Sequence, residues 1–146
     1  MSARSTASTG RACLSRYDGP LGTGEGLRHV RETLARWGLD AECGESIDAV
    51  LVAGELLANA HQHGGGASSV ELSWHGNRLR VAVSDGSPEP PRLIRPHRSE
   101  RPSGHGLYLV ERLTGRWGVV ARHAGKTVWA ELRLSEPDRD PTGLRS

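Results

Sequence analysis

Three short stretches of this chain hold residues whose types and spacing could do chemistry. In Glu55-Leu-Leu-Ala-Asn59 an acid and an amide stand at i and i+4, so on a helix they share one face. Asp48 and Val52 fall on that face too, beside an apolar stripe of Ile47, Val50, Leu51, Gly54, Leu57 and Ala58. A polar pair at the edge of a buried stripe can line a pocket while the stripe anchors the helix. Further on, Leu79, Val81, Val83 and Asp85 share one parity, so a strand would carry the Asp85 carboxylate on its apolar side. A carboxylate delivered to a buried face needs a donor, and an exocyclic amine such as that of adenine is one candidate. An Asp-Gly turn closing the strand is the plainer alternative. Gly86 permits close backbone approach. The third stretch, Ser103-Gly104-His105-Gly106-Leu107, leads into a helix with bare N–H groups, and the positive end of the helix dipole favours a phosphate there. A flexible lead-in to the helix explains the same residues.

Several elements must position these stretches. Residues 11–17 are a weak strand candidate, and Asp18-Gly-Pro-Leu-Gly22 reads as a turn. Residues 23–37 place Leu27, Val30, Leu34 and Trp37 on one side of a helix that Gly38 ends. Residues 45–63 form a second helix, stopped by Gly64-Gly65-Gly66. Val70, Leu72 and Trp74 alternate with polar neighbours, as do Leu79, Val81 and Val83 after a turn at His75-Gly76-Asn77. Residues 87–103, rich in Pro and Arg, form a long loop of a length that is usually functional or disordered. A third helix is expected over 104–114, then a hairpin of 117–122 and 127–134 turning at Ala124-Gly125-Lys126. This order predicts an α+β fold: a two-layer α/β sandwich with a mostly antiparallel mixed sheet and helices on one face. One domain over 11–134 is expected between disordered tails, 1–10 and 135–146.

Composition narrows the function. A length of 146 residues suits one domain that buries its own core. A net charge of +2 is too weak to argue for nucleic acid, and the Arg-rich loop lacks the interleaved aromatics of a single-strand binder. Cys13 and Cys43 are isolated, which points to free thiols in a reducing cytoplasm. The polar first ten residues do not read as a signal peptide, and no apolar run is long enough to span a membrane. Gly125-Lys126-Thr127 imitates the end of a P-loop, but Val120 stands where that motif needs Gly, and a strand follows instead of a helix. Gly22-Thr-Gly24-Glu-Gly26 imitates a dinucleotide loop with its last Gly one place early. His61 falls on the apolar stripe with His63 on a different face, so a core or helix-end role is expected for them rather than a metal site.

Taken in order, the stretches resemble the boxes of the GHKL (Bergerat-fold) ATPase superfamily, which includes gyrase, chaperone, histidine kinase and mismatch-repair ATPases. Glu55-x-x-x-Asn59-Ala looks like its N box, Asp85-Gly86-Ser87 like its first glycine box, Gly104-x-Gly106-Leu107 like its second, and Gly125-Lys-Thr127 like its last. Within the superfamily, Glu55-Leu-Leu-Ala-Asn-Ala-His-Gln-His-Gly-Gly-Gly and Gly104-His-Gly-Leu-Tyr-Leu-Val-Glu-Arg-Leu resemble the small anti-sigma factor serine/threonine kinases. A sensor histidine kinase is not expected, since 146 residues leave no room for a phospho-acceptor helix pair. The resemblance implies ATP and Mg²⁺ as cofactors. Asn59 would ligate the metal, Asp85 would accept from the adenine amine with help from Thr127, and Ser103, Gly104, His105, Gly106 and Leu107 would wrap the phosphates. Residues 87–103 would form a lid. Glu55 would be the general base for phosphoryl transfer to a STAS-domain anti-anti-sigma protein, with a sigma factor as the competing partner and a homodimer as the assembly. A non-catalytic ATP-gated binding module and a basic nucleic-acid binder are the alternatives.

Overall fold

The computed structural model describes residues 12–39, 44–87 and 110–134. Their strand alternation builds one sheet. It consists of β1 (Ala12–Leu21), β2 (Ala67–His75), β3 (Arg78–Asp85), β4 (Arg116–Arg122) and β5 (Gly125–Arg133), in the order β1-β2-β3-β5-β4. Every pairing is antiparallel, so the described sheet is antiparallel throughout rather than mixed. Val70 and Leu72 of β2, Leu79, Val81 and Val83 of β3, and Val128, Ala130 and Leu132 of β5 are buried under the helices. Each Val and Leu among them contributes roughly 1.5–3 kcal/mol relative to exposure. The β2–β3 turn is Gly76-Asn77, and Gly76 has φ +64° at its first position, as a type II′ hairpin requires.

Two helices cover that face: α1 (Thr23–Arg36) and α2 (Gly44–His63). Helix α1 begins with the Gly22 N–H donating to the Glu25 carboxylate at 3.2 Å, half of a capping box. It ends in a Schellman motif. Gly38, at φ +82°, donates to the Ala35 carbonyl, and Leu39 donates to the Leu34 carbonyl. Val30 and Leu34 are buried, with Leu27 and Trp37 packed beside them, as the helical spacing predicts. A hydroxyl–imidazole cluster ties α1 to β1. His29 Nε2 lies 3.1 Å from Ser15 Oγ and 3.4 Å from Thr33 Oγ1.

Several expectations need correcting. The first strand runs through the predicted turn at 18–22. The ladder shifts between Asp18 and Leu21, where Gly19 at φ +117° supplies the irregularity, and pairing resumes at Leu21. The buried stripe of α2 is rotated from the one predicted. It is Ala49, Val52, Ala53, Leu56, Leu57, Asn59 and Ala60, whereas Ile47 and Leu51 are exposed, and so is His61. This helix is apolar on most sides, so periodicity alone did not fix which side meets the sheet. The last hairpin turns at His123-Ala124, so Gly125 and Lys126 belong to β5. Of the third helix, the turn at 110–113 is described. The tails, Cys43 and residues 88–109, which hold nearly all of the predicted lid, lie outside the described residues. Cys13 is a free thiol. No described helix is long and apolar enough to cross a membrane.

Candidate functional site

The C-terminal end of β3 carries Asp85 to the helix-covered side of the sheet, and the residue is buried at 4 % exposure. One carboxylate oxygen is fully engaged. Oδ1 accepts the Ser87 N–H at 2.8 Å, an Asx-turn that fixes the chain through Gly86. It also accepts from Lys126 Nζ at 3.0 Å. The other oxygen, Oδ2, is buried without a hydrogen-bond partner among the described residues. Such an acceptor costs about 1–3 kcal/mol, more when charged, until a donor reaches it. Ser46 Oγ is the other orphaned buried side-chain oxygen among the described residues, and it carries no charge.

Two glycines make this packing possible. Gly64, just past α2, lies against the Asp85 carboxylate, and a Cβ there would come within 2.6 Å of Oδ2. Helix α2 stops at this point because the Ala60 carbonyl accepts from both Gly64 and Gly66 N–H groups, with Gly65 and Gly66 at positive φ. Gly125 opens β5 at φ +145°, and a Cβ there would strike the Asp85 carbonyl oxygen and lie 2.8 Å from Gly86 Cα. Only glycine lets β5 begin against the Asp85–Gly86 backbone.

Helix α2 presents the acid and the amide. Asn59 is buried at 9 % exposure and Glu55, one turn earlier, is half-buried. Neither side chain hydrogen-bonds to another described residue. Asn59 precedes Gly64 by five residues, roughly 7.5 Å of helix, so an amide oxygen and the free Asp85 oxygen are served by the same end of α2. Gly86 is exposed beside the Ala124 carbonyl.

Thr127 is not brought to Asp85. The register pairs Ser84 with Thr127 and Asp85 with Lys126, and neighbouring residues of a strand point to opposite faces. The Thr127 hydroxyl meets Ser84 Oγ at 2.7 Å and accepts from Arg122 Nε at 2.9 Å. This face continues through Trp129 under Arg80, 4.2 Å from the ring centroid, and through Glu131, which accepts from Arg80 Nη2 at 3.0 Å. Lys126 stands at Asp85's side instead. In the sequence Lys126 reads as part of a turn and as the middle of the last box, with no role of its own, and Gly64 reads as a helix stop. The signal for Lys126 was its shared parity with Val128, Ala130 and Leu132. For Gly64 no sequence signal told a stop from a contact. Ser103, Gly104, His105, Gly106 and Leu107 lie outside the described residues.

Among curated proteins, none matches the chain. The family model described as the histidine kinase-like ATPase domain matches residues 23–132, from the start of α1 through β5, and the chain belongs to that family.

Proposed function

We propose that this ATPase-like domain is a serine/threonine protein kinase that phosphorylates a STAS-domain anti-anti-sigma protein and otherwise holds a sigma factor. The buried Asp85 oxygen without a partner carries the nucleotide part of this reading. It is an acceptor held by its own turn and by β5, ready for the adenine amine. Asn59 would hold Mg²⁺, which neutralises phosphate charge when bound, and its amide is uncommitted to other described residues. Ser103, Gly104, His105, Gly106 and Leu107 are proposed to wrap the phosphates with backbone N–H groups, as their sequence suggests.

Glu55 is the proposed base. Its carboxylate takes the proton of a serine or threonine hydroxyl on the partner. That oxygen then bonds to the terminal phosphorus as the bond to the ADP oxygen breaks. Positioning and charge neutralisation supply most of the catalysis in such transfers, so one base on a rigid helix suffices. The choice of partners and a homodimeric assembly rest on the resemblance of the Glu55–Gly66 and Gly104–Leu113 sequences to anti-sigma factor kinases, and the cytoplasmic location on the isolated Cys13 and Cys43.

Incubation with γ-labelled ATP and a STAS protein tests the kinase reading. Label should pass to the partner, and Glu55→Gln should lower the rate by about 10²–10⁴-fold with nucleotide affinity retained. Partner capture that depends on ATP, with no label transferred by the wild type, would replace the kinase by a non-catalytic ATP-gated module.

A further inference from the structure

Lys126 is a fully buried cation that the proposed function leaves without a role. It is the only lysine among 19 basic residues, and its exposure is 1 %. Stability alone is a poor reason for its presence, because apolar residues of similar volume often replace a buried ion pair without loss. An ammonium has three N–H donors. Two of them are used, one toward Asp85 Oδ1 at 3.0 Å and one toward the Ser87 carbonyl at 3.3 Å. The third has no hydrogen-bond acceptor among the described residues. On the neighbouring carboxylate, Oδ2 is the oxygen without a partner. Among the described residues, an acceptor and a donor without partners therefore stand together at one buried edge, held there by the Asp85–Lys126 register and by the Gly125 contact with Asp85 and Gly86.

We propose that Lys126 is a base-reading residue: its ammonium donates to ring nitrogen N1 of adenine while Asp85 Oδ2 accepts from the adjacent amine. The inference rests on the proposed nucleotide site and deepens it. Adenine offers a donor at position 6 and an acceptor at position 1, the pattern that a carboxylate beside an ammonium complements. Guanine reverses that order, with an acceptor at position 6 and a donor at position 1. The base is then selected by an ion pair rather than by a carboxylate alone. Thr127 takes no part, since it faces the other side of the sheet.

The test is titration calorimetry of the full chain with Mg-ATP and with Mg-1-deaza-ATP, which keeps the amine but carries C–H in place of N1. Wild type should prefer ATP by about tenfold or more, the value of one hydrogen bond to a charged group. Lys126→Met should bind both nucleotides within about twofold of each other, matching the loss of that bond. If Lys126→Met does not fold, Lys126→Leu gives the same comparison with another side chain that has no hydrogen-bond donor. A wild type that binds both equally overturns the inference and leaves the nucleotide site standing. So does a variant that keeps the tenfold preference, and so does one that binds ATP more tightly with the preference unchanged, which would make Lys126 a competitor for the base. A wild type that binds neither nucleotide overturns the proposed site itself.

Discussion

Asp85 shows how little free volume surrounds the candidate base acceptor. Gly64 touches its side chain and Gly125 touches its backbone, and a methyl group at either position collides with it. Gly64→Ala must push the carboxylate aside, with an overpacking cost of about 1–3 kcal/mol. Mg-ATP affinity should fall at least about tenfold, corresponding to a lost hydrogen bond to a charged group, while circular dichroism stays that of the wild type. Gly65 is the control. It has φ +78° and no atom within 4 Å of a Cβ, so Gly65→Asn, which tolerates that backbone region, should leave ATP affinity unchanged. Equal affinities for wild type and Gly64→Ala would show that Asp85 Oδ2 is not where the base docks. At this scale the sequence was informative about Asp85, because a period of two leaves no choice of face. It was silent on Gly64, because a glycine that ends a helix and a glycine that makes room for a carboxylate are written alike.

The elements hold the site through packing that can be tested away from it. Helices α1 and α2 approach closely at Gly26, where a Cβ would lie 2.7 Å from Leu57 Cδ1. Gly26→Ala should destabilise by about 1–3 kcal/mol in urea unfolding, with ATP affinity preserved in the folded protein. The β1–α1 contact should depend on pH. Burial of His29 lowers its pKa from the usual value of 6.5, and Arg36 lowers it further, outweighing Glu32. The lowered value favours the neutral ring in the folded protein, with Nε2 set between the Ser15 and Thr33 hydroxyls. Its contribution is therefore complete above pH about 6.5 and is lost as pH falls through the lowered folded value. Urea midpoints between pH 7.5 and 5 should drop less for His29→Gln than for wild type, and parallel curves would remove His29 from the account. Element identity was legible in the sequence for α1, β2 and β3, where period and terminators agree. The rotation of α2 was not legible. Ile47 and Leu51 are as apolar as Val52 and Leu56, and only the sheet beneath decides which pair is buried.

The whole molecule brings the end of α2, the end of β3 and the start of β5 to one place, although these segments are far apart in the chain. The antiparallel order β1-β2-β3-β5-β4 does this by setting β5 beside β3, with β4 on the outer edge. The layered fold was legible from element order, because strands joined to their sequence neighbours pair antiparallel and leave one face for helices. The insertion of β5 between β3 and β4 was not legible, since the sequence shows a hairpin but not which of its strands docks. That same register put Lys126 rather than Thr127 beside Asp85, against the sequence expectation for Thr127. The central claim is that Asp85 receives the base of an adenine nucleotide. Titration calorimetry with Mg-ATP on wild type and Asp85→Asn tests it most directly. Wild type should bind saturably, and Asp85→Asn should lose at least about tenfold in affinity, the value of a hydrogen bond to a charged acceptor. Equal affinity in the two proteins, or no binding by a folded wild type, would contradict it.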